Sequence, residues 1–182
     1  MSERYARQTV LPEVGAAGQA RLAAASVVVV GAGGLGCPVL QYLAGAGVGR
    51  LTIVDHDRIE ETNLHRQPLY TMADIGKLKA EAGATALRRF NPGIAVEAVA
   101  ERLTPQNAAA LVAGADLVVD AADSFAVTYV LSDACLAAAK PLVSASVIGL
   151  TGYVGAFCGG GPSYRAVFPD VAVDGEIGRA HV

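Results

Sequence analysis

Tryptophan is absent from this sequence, aromatic residues make up only 5% of its 182 positions, and cysteine occurs three times. Cys37, Cys135 and Cys158 are widely spaced and contain no Cys-x-x-Cys. This excludes a disulfide framework and a zinc site built from paired thiolates, and a reducing cytoplasm is the expected compartment. A basic excess is also lacking: 14 Lys and Arg stand against 17 Asp and Glu, a formal net charge of -3. Neither nucleic acid nor a membrane surface is therefore expected as a partner, and any nucleotide bound is expected to be a small molecule. The opening MSERYARQTV has no apolar segment, so no secretory signal is expected. Pro141 to Ser163 is uncharged and long enough to suggest a membrane span. Pro141, Ser144, Ser146, Thr151 and repeated glycines interrupt it, and it reads instead as two β-rich runs, LVSASVI and GYVGAF, around a turn at Gly149 to Gly152.

What is present is alanine, valine and glycine. With 53% hydrophobic and 17% charged residues, the composition is that of an ordered α/β domain. Apolar runs of strand length alternate with helical stretches, the pattern of a parallel sheet covered on both faces. Strands are predicted at Val27 to Val30, Leu51 to Val54, Ala95 to Val99, Leu117 to Asp120 and Leu142 to Ser146, with another near Tyr153 to Phe157. Helices are predicted at Gly15 to Ala24, Leu35 to Ala46, Asp74 to Phe90, Pro105 to Val112 and Ser124 to Ala139, the third stopped by Asn91-Pro92-Gly93.

Between the first predicted strand and its helix lies Gly31-Ala-Gly33-Gly34-Leu-Gly36. Each glycine has a physical task. Gly31 permits a tight turn, Gly33 and Gly34 let backbone N–H groups approach an anion, and Gly36 lets the helix pack closely on the sheet. Asp55 follows at the end of the second strand, where a carboxylate can accept hydrogen bonds from ribose hydroxyls. The fold expected is thus a Rossmann-like doubly wound, mostly parallel sheet with helices on both faces. The turn alone does not choose the nucleotide, and an NAD-dependent oxidoreductase fits it equally.

The polar insertion after Asp55 makes that choice. It carries Asp57, then Thr62-Asn63-Leu64-His65-Arg66-Gln67, then Gly76-Lys-Leu-Lys79. Arg66 and Lys79 can neutralise a triphosphate, and Asn63 can hydrogen-bond a phosphate or sugar oxygen. Asp123 follows the strand LVVD at its carboxyl end, where open α/β sheets bind ligands and a carboxylate can hold Mg²⁺. Taken singly, Arg66 and Lys79 read as solvated charges and Asp123 as a helix cap. Taken together, a triphosphate with a metal fits better than a dinucleotide.

As a set these residues resemble the ThiF/MoeB/HesA family, adenylyltransferases that activate ubiquitin-like sulfur carriers. The resemblance runs from Arg4-Tyr-Ala-Arg7-Gln8 through the glycine turn, LTIVDHD, NLHRQ and Lys79 to Asp123, and reaches about Arg165. It implies an ATP-binding adenylation domain over residues 1–165, incomplete at its C-terminus. The implied reaction is ATP- and Mg²⁺-dependent adenylylation of the C-terminal Gly-Gly carboxylate of a β-grasp carrier protein, of the thiamine or molybdopterin type, releasing pyrophosphate. By the same resemblance Gly31, Gly33, Gly34, Gly36, Asp55 and Asp57 bind the nucleotide, with Asp55 on the ribose. Thr62, Asn63, Leu64, His65, Arg66 and Lys79 bind phosphates, and Asp123, with Ser124 beside it, lines the Mg²⁺ site. Arg7 matches an arginine that reaches into the partner's site across a homodimer, so Arg7, Arg66, Lys79 and Asp123 are the expected catalytic set. The alternatives are ATP-dependent activation of a peptide C-terminus or a tRNA cyclic threonylcarbamoyladenosine-type substrate, and a nucleotide-binding module without catalysis.

The sequence departs from the family at several points. Ser163 and Ala166 stand where many members have the first zinc-binding cysteine pair, so no zinc site is expected there. Ser124 stands where asparagine often follows the aspartate. Cys37, Cys135 and Cys158 read as core, and His56 and His65 as polar neighbours of the site. Residues 166–182 form a weakly patterned tail. Its last seven, EIGRAHV, are what one reading frame of a common sequencing adapter encodes, and are expected to be artefactual together with His181.

Overall fold

Val27, Val28, Val29 and Val30 are each at most 4% exposed, although consecutive strand residues point to opposite faces. Only a strand covered on both sides buries such a run. It is β1 (Ser26–Val30), joined by β2 (Arg50–Val54), β3 (Ala95–Val99), β4 (Leu117–Asp120), β5 (Pro141–Ile148) and β6 (Thr151–Cys158). The computed structural model describes residues 3–169 and places these strands in one sheet of order β3-β2-β1-β4-β5-β6. Every pairing is parallel except that of β5 with β6. The expected doubly wound α/β architecture is therefore present.

The helices are α1 (Ala6–Thr9), α2 (Gly15–Ala24), α3 (Gly36–Ala46), α4 (Lys79–Phe90), α5 (Pro105–Ala113), α6 (Phe125–Ala137) and α7 (Tyr164–Val167). On one face Val27, Val29, Leu51 and Ile53 pack with Leu40 and Ala44 of α3 and Ala84 and Leu87 of α4. On the other, Val28, Val30 and Val118 pack with Val112 of α5, Leu131 of α6, Phe157 and Tyr164. Each Val, Leu, Ile or Phe side chain among these contributes roughly 1.5–3 kcal/mol on leaving water.

Two helix ends differ from expectation by more than one residue. The helix predicted from Asp74 begins at Lys79, because Gly76 takes φ +83° and Leu78 bridges back to Arg58. Asp74 instead closes a capping box with Thr71 around a short 3-10 turn, Met72–Asp74. The helix predicted to run to Ala139 ends at Ala137, and Ala139 itself turns left-handed at φ 52°. The uncharged stretch from Pro141 forms the β5–β6 hairpin around Gly149 (φ +60°) and Leu150. Among the described residues no helix is long and apolar enough to cross a membrane. His181 and the EIGRAHV segment lie outside the described residues.

Candidate functional site

The sheet order reverses between β1 and β4, and the loops leaving these two neighbouring strands diverge to opposite faces. A crevice at the strands' carboxyl ends follows from that reversal. The glycine turn leaves β1 and Ala121-Ala122-Asp123-Ser124 leaves β4, and the two segments touch. Gly31 has φ +91°, and a Cβ there would fall 2.5 Å from the Ala121 carbonyl oxygen. A Cβ on Gly36 would fall 1.9 Å from the Gly31 oxygen, so this residue closes the turn on its own backbone.

Between them Ala32 is held from three sides. Its N–H donates to Asp55 Oδ2 at 2.7 Å, and its carbonyl accepts from the Tyr70 hydroxyl at 2.9 Å and the Cys37 thiol at 3.3 Å. The other Asp55 oxygen accepts the Asp57 N–H at 2.8 Å. Burial raises the Asp55 pKa above the ordinary carboxylate range, opposed by those two N–H groups and by Lys79. The N–H groups of Gly33, Gly34, Leu35 and Gly36 have no acceptor among the described residues, and they stand at the N-terminus of an eleven-residue helix. Four open donors on a helix dipole form a cradle for an anion.

The polar insertion covers this cradle. The Arg66 stem lies on Gly34, 3.4 Å from the position of an added Cβ, while its Nη1 donates to the Thr62 carbonyl at 3.1 Å. Asn63 caps its own turn by accepting the Glu60 N–H at 3.1 Å, and its Nδ2 donates to nothing among the described residues. Thr62 and His65 are exposed, whereas Leu64 packs against the α3–α4 layer of the core. Lys79 opens α4 and is buried, its ammonium 3.0 Å from Asp57 Oδ2. The structure thus gathers Arg66, Lys79, Asp55 and Asp57 around the glycine turn.

Asp123 is exposed on the opposite loop and makes no hydrogen bond or ion pair among the described residues. It does not cap α6, for Ser124 holds that place and makes no side-chain cap. An exposed carboxylate with no intramolecular partner is the kind of oxygen ligand that a hard cation uses beside its waters. Arg7 is not brought to its own chain's site. It is exposed on α1, whose Gln8 binds the Ala46 carbonyl at the far end of α3, about 16 Å from the turn by helical rise.

Two groups important to this geometry escaped the sequence reading. Asp120, 1% exposed, accepts from Thr128 Oγ1 at 2.7 Å, Ser144 Oγ at 2.8 Å and the Ala122 N–H at 3.2 Å. It ties β4, β5, α6 and the Asp123 loop together, and burial raises its pKa against those hydrogen bonds. The signal was present, since Asp120 ends an apolar strand as Asp55 does. Tyr70 is the other, a buried hydroxyl joining the glycine turn to the start of α4.

At the two positions where the resemblance led to no zinc site being expected, Ser163 Oγ accepts the Ala166 N–H at 3.2 Å and caps α7. The three thiols are buried, as expected of core cysteines.

The comparisons with known proteins agree with this picture. Residues 5–179 match the model of the ThiF family. The chain is 52% identical over 167 residues to the adenylyltransferase and sulfurtransferase MOCS3 of Bos taurus, covering 91% of this chain and 37% of that protein. It is 48% identical over 181 residues to the sulfur carrier protein adenylyltransferase of Thermus thermophilus, covering 96% of this chain and 67% of the relative. Among solved structures, E. coli MccB with ATP matches at TM-score 0.78 and 31% identity, over 87% of this chain and 49% of that one. E. coli tRNA N6-threonylcarbamoyladenosine dehydratase, TcdA, in complex with ATP matches at TM-score 0.74 and 33% identity, over 78% of this chain and 58% of that one. The chain spans well under half the length of the Bos taurus protein.

Proposed function

We propose that this chain, which belongs to the ThiF family, binds ATP across its sheet reversal and adenylylates the C-terminal Gly-Gly carboxylate of a ubiquitin-like sulfur-carrier protein. The observation that carries the reading is the row of four unpaired N–H groups at Gly33–Gly36, set between Arg66 and the ribose-binding position of Asp55. Such a cradle needs an anion, and the cations beside it match a triphosphate better than a pyrophosphate bridge.

In this reading Asp55 accepts hydrogen bonds from the ribose hydroxyls, and the glycine turn with Thr62, Asn63, His65, Arg66 and Lys79 receives the phosphates. Leu64 helps by fixing that segment to the core. A carrier carboxylate oxygen forms a bond to the α-phosphorus, the bond to the bridging oxygen breaks, and pyrophosphate leaves with its electron pair. The attacking carboxylate is already ionised near neutral pH, so no general base is required. The chain's tasks are in-line placement and neutralisation of charge on the departing pyrophosphate. Asp123, with Ser124 beside it, would hold Mg²⁺, which when bound supplies further positive charge to the phosphates. Arg7 serves the partner's site in a homodimer, residues 1–165 form the adenylation domain, and the protein works in the cytoplasm. The carrier belongs to a thiamine or molybdopterin type of sulfur delivery.

ATP–pyrophosphate exchange tests the proposal, run with and without Gly-Gly-ended carriers on the wild type, Asp123→Ala and Arg7→Ala. Carrier-dependent exchange that falls about 10²-fold or more in each variant is expected, by analogy with removed transition-state donors. Absence of exchange with every carrier, together with tight NAD binding, would return the site to an oxidoreductase.

A further inference from the structure

Gln67 follows Arg66 and sits against the glycine turn. It is 2% exposed, and among the described residues its Oε1 is the buried side-chain oxygen or nitrogen that lacks a hydrogen-bond partner. Its Nε2 donates to no acceptor among the described residues and lies 3.7 Å from where a side chain on Gly33 would begin. The backbone fixes this placement: Gln67 N–H donates to the Asn63 carbonyl at 3.1 Å, and the Gln67 carbonyl accepts from Tyr70 N–H at 3.2 Å. An amide oxygen removed from water without a partner is less favourable than an apolar group of similar shape. The fold by itself therefore gains nothing from the amide at this position.

The bound state can. Nε2, 3.7 Å from the position of an added Cβ on Gly33, sets the donor end of the amide beside the first of the residues whose N–H groups have no acceptor among the described residues, Gly33–Gly36. A neutral N–H donor there adds to the anion cradle without further like-charge repulsion between Arg66 and Lys79. We propose that Gln67 is a nucleotide-contacting residue of the glycine turn, its Nε2 donating to a phosphate oxygen. This rests on reading the site as an ATP site.

The test titrates ATP and adenosine into the full chain by calorimetry for the wild type, Gln67→Met and Gln67→Glu, with thermal unfolding measured on each protein without nucleotide. Gln67→Met is expected to unfold at the same or a higher temperature than the wild type, and to bind ATP about tenfold or more weakly while adenosine binding is unchanged. Gln67→Glu keeps the shape but sets a carboxylate against the phosphate, and is expected to bind ATP more weakly still. ATP affinity in Gln67→Met equal to that of a binding-competent wild type overturns the role of Gln67 and leaves the ATP site standing. A Gln67→Met chain that melts well below the wild type makes the amide a structural group and also overturns the role. A wild type that binds no ATP removes the underlying reading as well.

Discussion

The Lys79 side chain is 8% exposed and its ammonium lies 3.0 Å from Asp57 Oδ2, while the Asp57 side chain keeps 53% of its surface in water. The cation is thus held inside the protein by an anion that remains half outside. For the ATP site proposed above, a lysine already withdrawn from water and held by its counter-charge lowers the ordering cost of binding.

Removing Asp57 isolates that buried charge. Asp57→Asn is expected to lower stability by about 1–2 kcal/mol, less than for a fully buried pair because the aspartate is half exposed. Denaturant unfolding measures the loss, and saturating ATP is expected to restore most of it. A variant as stable as the wild type would show that Lys79 needs no counter-charge.

The glycines of the turn separate by mechanism. Gly36→Ala places a methyl 1.9 Å from the Gly31 oxygen, and the chain is expected to lose more than about 3 kcal/mol or fail to fold. Gly33→Ala meets its nearest atom at 3.7 Å and is expected to fold normally while binding ATP more weakly. Circular dichroism melts and nucleotide titration of the pair distinguish a folding glycine from a binding glycine.

Asp55 gives two pH dependences of opposite sign. Burial raises its pKa in the folded state, so its contribution to folding is fully present below the unfolded value and is lost as pH rises through the folded value. Binding ribose hydroxyls as an acceptor needs the ionised form, so nucleotide affinity is expected to fall as pH drops through that same raised value. Asp55→Asn is expected to bind weakly and to lose this dependence on pH. An affinity profile with the same slope in wild type and variant would assign the titration to another group.

Asp120 and Asp123 are three residues apart and divide structure from chemistry. Asp120→Ala removes the acceptor of the Ala122 N–H and leaves the Thr128 and Ser144 hydroxyls only their longer contacts to the Ser124 carbonyl at 3.4 Å and the Tyr153 hydroxyl at 3.2 Å, and is expected to cost about 1–3 kcal/mol of stability. Asp123→Ala touches no intramolecular bond among the described residues, and its melting temperature is expected to match the wild type while exchange collapses. If Asp123→Ala instead unfolds early, its assignment to the phosphate and metal site is wrong.

The thiols are expected to be silent. Burial pushes the Cys37 pKa to about 11 and that of Cys135 to about 12, and raises that of Cys158. A thiol reagent at pH 8 is expected to label none of them until the chain unfolds. Rapid labelling of the native protein would contradict the packing described for them.

Strand positions were legible because hydrophobic runs and β-branched residues set them: the valines of β1 and LVVD of β4 read the same in sequence and in structure. The start of α4 was misread because helical propensity from Asp74 onward was overridden by a bridge between Leu78 and Arg58, a contact no local pattern encodes. In the site, Arg66, Lys79 and Asp55 announced themselves by charge and position. Gln67 did not, since only the three-dimensional packing shows that its amide is buried with nothing to bind. Nor did Asp120, whose significance lies in its distance to Thr128 and Ser144.

Helix α3 ends very differently from the way it begins. At its C-terminal end Gln8 and Gln19 donate to the Ala46 carbonyl at 3.1 and 3.0 Å, and Asn91 donates to the Ala44 carbonyl at 2.7 Å. The acceptors are thus met by uncharged amides from elsewhere in the chain, while the donors at Gly33–Gly36 meet no acceptor among the described residues. The two ends of the helix are therefore expected to answer differently to dissolved ions, and the melting temperature is expected to rise with added phosphate or pyrophosphate, a shift that a thermal melt in each salt measures.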